Sequence, residues 1–461
     1  MIKQIALAVL AAGVGGALCA QEPAAELEES EEEGIRFDAG ADLRIRQEIV
    51  HNQPQLGGLR GRNFNHMRFR PRVWGELKLG ESWRLYTRLA DEFRYGIRPH
   101  HAQHNNTFPG EVVLDNLFIE GRDLFDGFLD LKVGRQDIYH LYGLDHVFVD
   151  GTAGDGSRTV FADMAAVALH VDEESWIDLF ALYNQDHQEF RWGTKRSHRL
   201  RYTNFSGRNE PEMDDWGFGA IWNSKIGLVD YKLMWIQKDT AAFHDAVGAK
   251  HPSRQVNLLG TKLEPRWTEN FSTPLELYGQ VGQNGRGNAL HAWSAYAGFD
   301  WKGDAGSSIR PFATGGVLFQ SGDKNAAAED GGRGAWDPMW YRGVDDSEMF
   351  LYGPLYGAGW WSNQINLKTT AGLSFGPHHK VQLMIGPMFA EERDGLGGGN
   401  GFFKGLLTQA RYDFPLLVAD SSKGERFEIF GHFLVEFFNP GDYYETSKPA
   451  YFVRWQVDFK F

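Results

Sequence analysis

A single cysteine, Cys19, stands in the chain. It falls within the first twenty residues, so a processed protein would carry neither a disulfide nor a thiolate metal ligand, and its stability must come from the fold. No stretch after residue 20 reaches the roughly 18 consecutive apolar residues that a membrane-spanning helix needs. HExxH and P-loop patterns are missing too, and neither an enzyme nor a cofactor is expected. Positive charge is in deficit: the formal net charge of -14 argues against nucleic acid as a partner. Soluble β-propellers and β-helices should show a repeat of about 20–50 residues, and none is visible.

What is present begins with "MIKQIALAVLAAGVGGALCA", a Lys, an apolar run and small residues, which is the build of a secretory signal peptide over 1–20. Residues 21–33 contain "ELEESEEE", a charge run expected to form an acidic periplasmic segment. From Gly34 to Phe461 the dominant pattern is alternation. In "HMRFRPRVW", Arg68, Arg70 and Arg72 alternate with Met67, Phe69, Pro71 and Val73; in "YFVRWQVDFKF", Tyr451, Val453, Trp455, Val457, Phe459 and Phe461 alternate with Arg454, Gln456, Asp458 and Lys460. Such a period of two sends one row to each face of a β-strand.

Marking these segments gives about eighteen strands of roughly 10 to 16 residues, the length of a tilted membrane-spanning strand. The connectors alternate between tight ones, such as "GES" at Gly80 and "KIG" at Lys225, and long ones such as residues 323 to 360. Short periplasmic turns and long external loops are the mark of an outer-membrane barrel. The expected fold is therefore all-β: a transmembrane antiparallel β-barrel over 34–461, in the bacterial outer membrane and in contact with its lipid. Pro71 cannot donate to the strand ladder, so a bulge or a missing hydrogen bond is expected there, and a bulge would turn Arg72 away from Arg68 and Arg70.

If the apolar rows face lipid, the polar rows face the lumen. Arg44, Arg46, Arg68, Arg70, Arg72, Arg84, Arg88 and Arg94 share the inward parity of the first three strands, and Lys132, Lys232, Lys368, Arg411 and Arg454 follow more sparsely. Cationic linings select for anions, and the guanidinium fork matches carboxylates two-pronged. Acidic neighbours on the same parity, Asp42, Glu48, Glu76, Glu92 and Glu436, allow the plainer role of bracing the wall. Trp74 and Tyr86 add surfaces on which sugar rings could stack. The Gly/Asp run "DGTAGDGSR" departs from the EF-hand spacing, so no metal site is expected in it.

The stretch from Leu131 to Asp163 resembles the alginate export family of outer-membrane porins. The resembling elements are "GRQ" at Gly134 to Gln136, "DGT" at Asp150 to Thr152 and "DGSR" at Asp155 to Arg158, with "WDPMWYRGVDDSE" at Trp336 to Glu348 and "WWSN" at Trp360 to Asn363. This resemblance implies an eighteen-stranded barrel that passes an anionic polysaccharide outward through an arginine-lined conduit, with periplasmic secretion partners. It adds Arg135 and Arg158 to the conduit candidates and Asp150 and Asp155 as wall or loop partners. The alternative reading of the same lumen is a porin that takes up small anions or oligosaccharides.

Overall fold

The computed structural model describes residues 34–53, 61–97, 112–138, 141–148, 161–184, 191–192, 215–244, 250–251, 253–283, 288–324, 333–340, 347, 349, 362–376, 378–419 and 427–461. The expected signal peptide and acidic segment lie outside these residues, as do Arg158, Asp150 and Asp155. The chain forms β1 (Ile35–Gln53), β2 (Arg62–Leu79), β3 in two pieces (Trp83–Asp91 and Phe93–Gly96), β4 (Val112–Asp123), β5 (Leu129–Asp137), β6 (Phe161–Asp172), β7 (Ser175–Asn184), β8 (Asp215–Ile226) and β9 (Val229–Thr240). It continues with β10 (Arg254–Thr268), β11 (Leu275–Gln283), β12 (Ala289–Lys302), β13 (Ile309–Gln320), β14 (Gln364–Phe375), β15 (His379–Phe389), β16 (Phe403–Leu417), β17 (Glu428–Pro440) and β18 (Ala450–Lys460).

Each strand pairs antiparallel with its sequence neighbours, and β1 pairs with β18 from Asp42↔Lys460 to His51↔Tyr451. The sheet is therefore a closed barrel of 18 strands. Closure satisfies every edge, the condition for crossing lipid with strands. All the tight turns lie at one end. The β8–β9 hairpin turns on Gly227 and Leu228, with Gly227 at φ 59 in the left-handed region that favours glycine.

Sidedness is inverted relative to a soluble sheet. Leu277, Leu383 and Phe433 are each more than half exposed on the outer wall. At the tight-turn end Trp83, Trp222, Trp267 and Trp301 stand outward, and at the other end Tyr183, Trp216 and Tyr451 do the same. These are the two interfacial girdles of a membrane barrel. The packed apolar core lies inside the barrel instead, where loop residues meet inward-facing strand residues.

Candidate functional site

The expected ladder exists, and its register is regular. Asp42↔Arg72, Arg44↔Arg70 and Arg46↔Arg68 are opposite pairs of β1 and β2, and Arg68 faces Arg94 of β3. No bulge occurs at Pro71: pairing runs unbroken from Ile35↔Leu79 to Val50↔Phe64 through Leu43↔Pro71. On the β3 side, the absent N–H coincides with the break between Asp91 and Phe93, and register resumes unchanged at Phe69↔Phe93. Arg68, Arg70 and Arg72 consequently share one face.

Like charges directly opposite one another destabilise a sheet, and carboxylates interleave them here. Arg44 lies 2.6 Å from Asp458, Arg72 2.8 Å from Asp42, and Arg84 2.8 Å from Glu120 and 3.1 Å from Glu76. Arg70 and Arg94 stand further off, 3.9 Å from Asp42 and 3.6 Å from Glu92. Arg88 holds Asp115 and Asp137, each at 2.9 Å. A bulge makes that cluster: Arg88 pairs with Asn116 but Leu89 with Leu114, so the extra residue Asp115 joins Asn116 beside the guanidinium.

Depth separates these arginines into two groups. Arg46, Arg68 and Arg70 are buried, and the fully buried Glu48 accepts contacts from Arg46, Arg68, Arg454 and His66 at 2.7 to 3.1 Å. Arg84 and Arg94 keep side-chain exposures of 31% and 26%, and these two present charge to open lumen. Below the ladder an inward aromatic stack runs from Trp74 to Tyr86 to Phe118, with centroid spacings of 6.2 and 5.3 Å, and Lys132 lies 4.2 Å over the Phe118 ring.

Arg135 is a correction. Its register partners are Leu117 and Asp163, so it stands on the opposite parity to Lys132. Its fork is consumed by the Asp163 carboxylate at 2.7 and 2.9 Å and by the Leu114 carbonyl at 3.0 Å. It ties strands together and does not belong to the conduit row.

Sequence periodicity missed the opposite half of the lumen. From β6 to β12 the inward rows mix polar residues with apolar ones, including Leu182, Ile221, Ile236, Leu258 and Tyr278, and two loop segments pack on the apolar set. The first is 141–148: Lys262 donates to the Gly143 carbonyl at 2.7 Å, and His146 Nδ1 stands 2.6 Å from Glu276. Burial pushes the Tyr142 phenol of this segment well above its ordinary pKa, so it stays neutral. The second is 333–340: the Asp337 carboxylate meets Arg254 and Lys238, and its backbone exchanges two hydrogen bonds with the Gln280 amide. Gly217 makes room for it, since a Cβ there would come within 2.5 Å of the Trp340 ring. Further along the same loop, Ser347 and the Met349 N–H both donate to Glu436 at 2.8 Å, so the loop touches both walls of the barrel. The local signal for this was only the clustering of Trp336, Asp337 and Trp340 in a long connector.

A closed barrel with a lipid-facing apolar band and an inward row of charges defines an outer-membrane β-barrel of porin fold, and the protein resides in the bacterial outer membrane. No family model and no curated protein matches the sequence. Among solved structures the chain is similar to Pseudomonas aeruginosa OccK11 (OpdR) at 10% identity and a TM-score of 0.50, covering 92% of this chain and 95% of that one. Pseudomonas aeruginosa OpdL matches at 9% identity and a TM-score of 0.49, covering 92% of this chain and 98% of that one. Pseudomonas putida OprB matches at 9% identity and a TM-score of 0.43, covering 92% and 94%.

Proposed function

We propose that this protein is a porin for the passive uptake of small anionic solutes, and that it is a channel and not an enzyme. The observation that carries this reading is the division of the lumen: two loop segments packed on the β6–β12 wall, facing a wall of arginines on β1–β3. Leu144, Val147, Phe148, Met339 and Trp340 are fully buried within the barrel, so the loops occupy space that a bulky polymer would need. A solute passing the remaining slot meets Arg84 and Arg94, whose carboxylate partners can be exchanged for a carboxylate of the solute. Each contact is weak enough to release it, as conduction requires.

The test is reversal potential in planar bilayers under a salt gradient, followed by addition of a polyuronate. Anion-selective current that is indifferent to the polymer supports the porin reading. Cation selectivity overturns it, and traversal of the pore by the polymer would favour outward passage of an anionic polysaccharide, as the alginate-export resemblance implies.

A further inference from the structure

On the wall opposite the arginines, toward the tight-turn end, register sets four inward residues in one row across β7 to β10. Trp176 pairs with Asn223, Asn223 with Lys232, and Lys232 with Lys262. The row borders a cleft of about 320 Å³. Neighbouring Cβ atoms in such a row lie about 4.5–5.5 Å apart, so two lysines stand directly opposite each other, and like charges so placed cost stability.

The two lysines are treated differently. Lys262 is engaged by the Gly143 carbonyl of the loop above it at 2.7 Å and by Glu276 of β11 at 3.4 Å. Lys232 donates to the neutral Asn223 Oδ1 at 2.5 Å and lies 5.7 Å from the Trp176 ring centroid. No carboxylate among the described residues reaches it within ion-pair distance. Of the acids that line the cleft, Asp230 and Glu264 are held by Arg266 at 2.8 and 3.2 Å, while Glu173 and Glu174 stand exposed in the β6–β7 turn. Asp178 accepts from the Asn223 amide at 2.7 Å and from the Trp176 indole at 3.1 Å, which turns the amide oxygen toward Lys232 and fixes the ring. The contrast with the ladder is direct, since each of its arginines has a carboxylate within 4 Å.

We propose that this cleft is a binding site for a small ring-bearing carboxylate, with the carboxylate on Lys232 and the ring against Trp176. A cation at Lys232 itself is disfavoured by the facing Lys262, and a neutral sugar would leave the Lys232 ammonium without a direct ion pair. The fixed indole selects for a ring, which inorganic phosphate or acetate lacks. The site deepens the uptake reading and rests on it: solute that has traversed the slot is received at the periplasmic end, away from the ladder.

Saturation-transfer NMR with D-glucuronate on the full barrel in detergent micelles tests the site without requiring conduction. Saturation of the sugar-ring protons is expected, with affinity falling at least about tenfold in Lys232→Gln and returning in Lys232→Arg. Asn223→Asp places a carboxylate on the ammonium, preserves the fold by satisfying the charge, and should compete the ligand away. D-glucose, acetate and phosphate should each bind at least about tenfold more weakly than glucuronate. Unchanged affinity in Lys232→Gln or Asn223→Asp, equal binding of glucose or phosphate, or no glucuronate signal overturns the proposal. Bilayer current on the same preparation separates the two readings: binding without anion selectivity sinks the uptake function alone, and anion selectivity without binding sinks this site alone.

Discussion

The Trp340 N–H donates to the Val147 carbonyl at 3.0 Å, and the Trp340 indole stacks on Phe148 with centroids 5.1 Å apart and planes 3° from parallel. Two loops from distant parts of the chain are thereby joined inside the barrel. The constriction is a composite of the two, each also anchored to the barrel wall.

Trp340→Ala should therefore enlarge the pore without unfolding it. Truncating a buried Trp costs about 3–5 kcal/mol, a loss confined to the loop packing because the strand ladder is untouched. Single-channel conductance is expected to rise at least about twofold, with added current noise, while heat-modified gel mobility still reports a folded barrel. Conductance equal to the parent protein would mean that the two loops do not narrow the passage.

Glu48→Gln is the opposite case, a change expected to weaken the barrel itself. Removing one partner of a buried charge cluster costs about 3–5 kcal/mol, because the remaining charges stay desolvated without compensation. Arg46, Arg68 and Arg454 all converge on that carboxylate. The urea midpoint for loss of folded mobility should drop clearly, and an unchanged midpoint would refute the assignment of Glu48 as the organising charge.

Selectivity should reside in the partly open arginines. Arg84→Ala and Arg94→Ala together are expected to lower the anion-to-cation permeability ratio at least about twofold at low salt, with the effect shrinking as ionic strength shortens the Debye length to about 3 Å at 1 M. Measurement is by reversal potential at two salt concentrations.

Arg135→Ala should leave that ratio unchanged and instead cost about 1–2 kcal/mol of stability, a value held down by the partly exposed Asp163. Unfolding midpoint and reversal potential measured on one sample separate the two effects. A fall in selectivity would return Arg135 to the conduit.

The barrel and its ladder were legible in the sequence because both are written in a period of two. Arg68 and Arg70 reveal their shared face from spacing alone, and the even strand number follows from counting such segments. Arg135 was placed by motif resemblance, against the parity that its odd spacing from Lys132 implies. The effect of Pro71 was half readable: a proline removes one hydrogen bond, but whether the ladder bulges or merely breaks depends on the neighbouring strand. The Asp115 bulge and the inward docking of 141–148 and 333–340 carry no periodicity, since they depend on space that exists only after the strands close.

The contact between Glu48 and Arg454 at 2.7 Å joins positions 406 apart in the chain. It cannot form until the last strand arrives, so the carboxylate that gathers three guanidinium groups gathers the third only on closure. Until then β1 and β2 carry an open edge with an excess of positive charge facing the lumen. Folding this barrel is thus a problem of high contact order, and its final step is at once a pairing of strand edges and a neutralisation of charge. The seam supplies a reason for the incomplete sheet to wait for β18 and to pair with no other strand.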